Sequence, residues 1–308
     1  MKLITYRQGD GPIQTGVVLD ERVLDISAWL TELPISTEAT NHNVASGIAA
    51  PTGGIMRWLQ CGPDAMAKLT THVGQVSQQP SVSFDLFKAV TLYAPVPRPG
   101  KIMGVGRNYA DHAKETGVTP FEKPRIIFKV PSSVAAANAD IPRPAAVTKM
   151  DFETELAVVI GGYGKDVAVA DALALVAGYT ILNDVSAREF QFDISPPQTT
   201  FAKSMDGFAP MGPWLVTRDE IADPQTLELS CWLNGQQMQH GHTADMLFPV
   251  ATLIAYLSQF MTLEPGDVIG TGTPAGIGAF RKPPIYLQPG DRLRMEISHV
   301  GVMEHTII

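Results

Sequence analysis

The stretch Asp151-Phe152-Glu153-Thr154-Glu155-Leu156, running on into Ala157-Val158-Val159-Ile160-Gly161-Gly162, is the hardest part of this chain to place in a fold. Leu156 to Ile160 is apolar, rich in β-branched residues and stopped by two glycines, which reads as a buried strand. Side chains alternate between the faces of a strand, so Glu153 and Glu155 share one face and Asp151 lies one pleat further along it. Acids spaced this way repel one another, and an unpaired carboxylate is costly to bury. Two arrangements resolve the conflict. In one, the acids lie on the wet face of an edge strand. In the other, a divalent metal ion covers them, because carboxylate oxygens suit Mg²⁺, Mn²⁺ and Ca²⁺. The stretch alone leaves both open.

The rest of the chain narrows the setting. Its 308 residues, 45% hydrophobic and 18% charged, support a sizeable core in one large or two modest domains. Spread through it are 24 prolines and 27 glycines, which implies many turns and a strand-rich fold rather than a helical bundle. A net charge of −8 and a pI near 5.3 argue against non-specific nucleic-acid binding and against an anionic membrane surface. Cys61 and Cys231 have no paired spacing, which excludes a cysteine-based zinc site and fits a reducing compartment. The first residues lack an apolar secretory core and no apolar run reaches membrane-spanning length, so a cytoplasmic protein is expected.

Residues 1–97 read as a small N-terminal α+β domain. Its strands are expected over Leu3 to Tyr6, Gly16 to Leu19 and Val23 to Ile26, and its helices over Ile55 to Gln60 and Ala65 to Val73, parted by Gly62-Pro63. Ser81 to Ala94 should resume as strand, and Pro95 to Gly100 is a stiff connector to a second domain, 98–308. Lys101 to Arg107 is a strand ending in glycines. It lacks the third glycine of a dinucleotide loop. A short helix follows, with Asn108 as its N-cap, Asp111 in its first turn and Gly117 as its stop. His112 and Glu115 are three apart on one face, and a carboxylate beside an imidazole makes a general base.

Arg125 to Lys129 is a further strand. Asp171 to Ala177 should be helical, and Gly178 to Asp184 a strand with a third acid at its end. Ser186, Arg188, Glu189 and Gln191 fall in a polar turn, and Lys203 precedes an apolar run. Asn234-Gly235 marks a hairpin, Pro249 to Phe260 an amphipathic helix, and Gly270 to Gly278 a glycine-rich loop suited to an oxyanion.

These segments, in this order, resemble the fumarylacetoacetate hydrolase superfamily. The resemblance spans about Lys101 to Gly301 and rests on Gly104-Val-Gly-Arg-Asn-Tyr-Ala-Asp-His112-Ala-Lys-Glu115, Asp151-Phe-Glu-Thr-Glu155-Leu, Asn183-Asp184-Val-Ser-Ala-Arg-Glu-Phe-Gln191, Ala202-Lys203-Ser-Met-Asp-Gly and Pro265-Gly-Asp-Val-Ile-Gly-Thr-Gly-Thr273-Pro. It implies a mainly β, α+β catalytic domain of mixed strands in a roll or distorted barrel, usually as a homodimer. It places metal ligands at Glu153, Glu155 and Asp184, for one Mg²⁺ or Mn²⁺ (or Ca²⁺ in a crystal). The catalytic dyad falls on His112 and Glu115, with Lys203 and Gln191 beside it. Thr273 falls on substrate, and Arg107, Tyr109 and Lys129 are expected there too. Asp151 matches no ligand and reads as lying behind the metal site or facing solvent. The implied substrate is a small 2-keto acid of acylpyruvate type, cleaved hydrolytically at a C–C bond. Isomerisation of a hydroxymuconate-type diene acid and decarboxylation of an oxaloacetate-type acid use the same parts, and a metal-bearing scaffold without activity is the outlying reading.

Overall fold

The computed structural model describes residues 1–46, 53–62, 64–79, 82–115, 117 and 121–308, with the side chains of 43–46 left aside. The expected features at Pro63 and Ser81 lie outside the described residues. The protein is an α+β molecule dominated by one long mixed sheet. Its strand order is Asp85–Leu86, Arg22–Asp25, Gln14–Leu19, Lys2–Arg7, Ala209–Thr217, Val176–Asn183, Thr154–Ile160, Val268–Gly270, Ile102–Gly106 and Arg125–Lys129. The order has two ends among the described residues, so the expected barrel is an open roll. A second, four-stranded antiparallel sheet holds the Asn234-Gly235 hairpin, whose two turn residues both have positive φ, 52° and 83°.

The acidic strand, Thr154–Ile160, is central. It pairs antiparallel with Val176–Asn183 on one side and with Val268–Gly270 on the other. All seven of its residues are buried, so the edge-strand alternative is gone. Its apolar side chains Leu156, Val158 and Ile160 enter the larger core cluster, while Ala157 and Val159 enter a second cluster that also takes up Leu3, Leu30 and Leu69 from the N-terminal region. That region is further joined to the rest of the chain through its first strand: Lys2 pairs with Val216 and Leu3 with Leu215.

Several local expectations shift. Among the described residues 82–94 there are only the two-residue strands Asp85–Leu86 and Thr91–Leu92, separated by a 3-10 turn over Phe87–Ala89. The helix expected over 171–177 shrinks to a 3-10 turn, Ala172–Leu175, because the β-branched Val176 already starts the next strand. Asn108 does not cap the short helix, which spans Ala110–Glu115. Its buried side chain instead donates to the Phe248 and Thr271 carbonyls at 3.0 and 2.8 Å and accepts from the Phe248 amide at 2.9 Å. Three long-range bonds outweigh the single bond a cap would supply.

Candidate active site

Glu153, Glu155 and Asp184 converge from two adjacent strands. Thr154 faces Asn183 across the sheet, which brings the end of one strand against the end of the other. The Asp184 amide then donates to the Glu153 carbonyl at 2.9 Å, and Asn183 Oδ1 accepts from the Glu153 amide at 3.1 Å. One carboxylate oxygen from each acid lies within 4.8 Å of the others, and all three residues are buried. Gly270 makes room for this: a Cβ there would sit 2.3 Å from Glu155 Oε2.

Three cations manage most of the buried negative charge. Lys203 Nζ donates to Asp184 Oδ2 at 2.6 Å, Ser186 Oγ at 2.8 Å and Glu153 Oε2 at 3.0 Å, which uses all its protons. Lys129 Nζ lies 2.6 Å from Asp184 Oδ1 and 3.3 Å from the Val185 carbonyl. Arg188 donates through Nη2 to Glu153 at 2.6 Å, through Nε to Asp151 at 2.9 Å and through Nη1 to Gln191 Oε1 at 2.8 Å. Burial by itself would raise the Glu153 carboxyl, but the Lys203 and Arg188 charges outweigh it and hold that carboxyl below its usual range. Glu155 has the opposite fate. Burial, then the Asp184 and Glu153 charges, push it well above the usual carboxylate range, and its Oε2 has no hydrogen-bond partner.

An orphaned carboxylate oxygen, turned toward two further carboxylates, is what a divalent cation would satisfy. The donor set is all oxygen, as Mg²⁺ and Mn²⁺ prefer. The residues present therefore fit the ion that the sequence implied.

The triad opens into a cavity of about 190 Å³ lined also by Arg107, His112, Arg125, Arg188, Gln191, Phe192, Lys203, Thr273 and Phe280. His112 Nδ1 lies 3.1 Å from Glu115 Oε2, and Nε2 has no hydrogen-bond partner among the described residues. Glu115 also accepts from the Gly276 amide at 3.1 Å, so it docks the short helix on the glycine-rich loop while orienting the imidazole. Phe280 packs edge-on to the His112 ring, with centroids 6.0 Å apart.

His112, Glu115, Lys203, Gln191, Thr273 and Arg107 are thus gathered around the triad. Thr273 Oγ1 gives its proton to the Thr154 carbonyl at 2.9 Å and accepts from Gln239 Nε2 at 2.7 Å, so it offers a lone pair to the cavity rather than a free donor. Two expected substrate contacts lie elsewhere. Tyr109 is fully buried in the main core, and Lys129, 3% exposed, is spent on Asp184. Asp151 takes the first of its two readings, behind the acid triad, and does not face solvent. It is 0% exposed and accepts from the amides of Phe152, Gly278 and Ala279 at 2.9, 2.8 and 3.0 Å as well as from Arg188. A buried carboxylate persists only with such partners. Sequence reasoning gave no role to Arg188 or Gln239. The one local signal was the three-residue spacing of Arg188 and Gln191, which puts them on one face of the short helix Arg188–Phe192.

Comparison with known proteins agrees with this geometry. Residues 101–308 match the model of the fumarylacetoacetate (FAA) hydrolase C-terminal family. Human mitochondrial oxaloacetate tautomerase FAHD2A is 46% identical over 219 residues, 71% of this chain and 70% of its own. The crystal structure of maleylpyruvate hydrolase from Sphingobium sp. SYK-6, in complex with manganese(II) and pyruvate, superposes with a TM-score of 0.77 at 28% identity, covering 100% of this chain and 99% of its own. That of 5-carboxymethyl-2-hydroxymuconate delta-isomerase from Mycobacterium smegmatis gives 0.72 at 29% identity, covering 100% and 98%. The fold, the buried acid triad and these matches together establish that the chain belongs to the fumarylacetoacetate hydrolase family.

Proposed function

We propose that the protein is a divalent-metal-dependent enzyme that moves a proton at the carbon next to the keto group of a small 2-keto acid, as in keto–enol tautomerisation. The observation that carries this reading is the sharing of one cavity by His112, its Nδ1 taken by Glu115, and the three acids. Glu153, Glu155 and Asp184 would hold the divalent ion, whose Lewis acidity would make the C–H beside the keto group easier to ionise. His112, kept in one tautomer by Glu115, takes the proton at Nε2 and returns it. Gln191, with its carbonyl held by Arg188, has its amide N–H left to donate to a developing negative oxygen. Phe192, Phe280 and Ile277 give the cavity an apolar stretch of wall. The activity named for the human relative supports the tautomerase form of the reading.

C–C hydrolysis is the second reading. The same dyad can activate a water instead of a carbon acid, and the maleylpyruvate hydrolase neighbour supports it. The discriminating experiment presents the Mn²⁺-loaded protein with the enol of oxaloacetate, followed by absorbance, and with an acylpyruvate, followed by mass spectrometry for released pyruvate. Loss of the enol without pyruvate release from the acylpyruvate is expected, falling about 10²–10⁴-fold in His112→Ala. Full turnover in His112→Ala, or pyruvate release alone, would sink the tautomerase reading.

A further inference from the structure

The cavity contains two cations that its acids do not use. Arg188 and Lys203 are both committed to carboxylates, whereas Arg107 and Arg125 line the same cavity with no carboxylate partner among the described residues. They stand at neighbouring positions of one antiparallel pair, since Gly106 faces Arg125 across the strands Ile102–Gly106 and Arg125–Lys129. Burial and then the Arg125 charge both work against the Arg107 guanidinium. Two like charges held together at a cavity wall are unfavourable unless an anion comes between or beside them.

The backbone at Arg107 sharpens the point. Its φ is 59°, in the left-handed region that a non-glycine residue seldom adopts, directly after Gly106. A glycine there would relieve the strain, yet the position carries a long guanidinium whose Cζ lies over the Phe121 ring, 5.6 Å from its centroid. Stacking restricts the side chain, and a restricted guanidinium is preorganised for a planar, bidentate anion.

We infer that Arg107 and Arg125 form an anion subsite, in the same cavity as the acid triad, that takes the distal carboxylate of a 2-keto dicarboxylic acid. The inference rests on the reading of the triad as the keto-acid end. Arginine matches carboxylate geometry through paired N–H donors, and a cavity of about 190 Å³ suits a short-chain diacid. Arg125, which is exposed, sits where a substrate would enter, and Arg107, half-buried, sits deeper.

Binding of unreactive 2-hydroxy acids to the Mn²⁺-loaded protein tests the subsite without relying on turnover. Calorimetry should show malate binding at least tenfold tighter than 2-hydroxybutyrate, which lacks the distal charge. That preference should fall below threefold in Arg125→Ala and in Arg107→Lys and be largely kept in Arg125→Lys, with melting temperatures confirming that each variant folds. Equal affinity for the two acids in the unaltered protein, or a preference untouched by Arg125→Ala, would overturn the subsite. Tighter binding of 3-phosphoglycerate than of malate would overturn the carboxylate assignment in favour of a distal phosphate. Failure to turn over any 2-keto acid, with the malate preference intact, would count against the proposed reaction and leave the subsite standing.

Discussion

Asp151 and Glu153 are both held by Arg188, at 2.9 and 2.6 Å, which fixes this glutamate of the acid triad from behind. Groups that orient a ligand commonly matter to metal affinity by 10–100-fold. Asp151→Asn keeps the shape and removes the charge that positions Arg188. Mn²⁺ affinity measured by calorimetry should drop about 10–100-fold, and the melting temperature should fall because a buried guanidinium loses one partner. Unchanged Mn²⁺ affinity would show that Glu153 is held well enough by Lys203 alone.

Glu155 is the unbalanced member of the triad, crowded by Asp184 and Glu153 and without a cation of its own. Glu155→Gln should therefore leave the metal-free protein as stable as before or more so. The same variant should lose the rise in melting temperature that saturating Mn²⁺ gives the unaltered protein, which at 100 times the dissociation constant corresponds to about 2.7 kcal/mol. Differential scanning fluorimetry with and without the ion checks both halves. A metal-free variant that is markedly less stable would show that the carboxylate is not repelled in its site.

Gly270 offers a test that leaves every charge in place. Alanine is allowed by its backbone, but the added Cβ meets Glu155 Oε2 at 2.3 Å and the Leu182 side chain at 3.0 Å. Gly270→Ala should fold, as judged by circular dichroism, with Mn²⁺ binding weakened at least tenfold by displacement of the carboxylate. Normal binding would mean that Glu155 has a second productive rotamer.

His305 gives a prediction about acid stability away from the cavity. It is fully buried, and that burial lowers it from 6.5 to about 4. The unfolded chain therefore binds a proton between pH 6.5 and 4 that the folded one refuses, so stability falls as the pH drops through this window. The full effect is about 3 kcal/mol. Asp267, raised to about 6 by burial despite Lys101, acts in the opposite sense over part of the same range. The measurement is thus a difference: urea midpoints at pH 7 and pH 4.5 for the unaltered protein and for His305→Phe, with the shallower pH dependence expected in the variant.

What could be read from the sequence followed the range of the interactions. Glu153, Glu155 and Asp184 stood out because acids on apolar strands violate a local rule, and His112 with Glu115 because three residues is a helical contact distance. Asp151 could be read as lying behind the acids or in solvent, but the choice could not be made because its partner is 37 residues away and is brought near only by the pairing of Asp151 with Ser186. Gln239, whose carbonyl accepts from the Thr154 amide 85 residues away, carries no local mark at all. Asn108 obeyed the capping rule on paper and lost it to partners 140 and 163 residues distant. The N-terminal strands were visible as strands, but nothing near Lys2 announces that its neighbour will be Val216.

The far end of the glycine-rich loop is gripped by two carboxylates, with Gly276 on Glu115 and Gly278 on Asp151. One short segment thus joins the helix that carries His112, through Asp151, to the arginine that steadies Glu153. Any free energy passed along it obeys reciprocity: whatever factor a cation at the triad would add to docking of the helix, docking would add to retention of the cation.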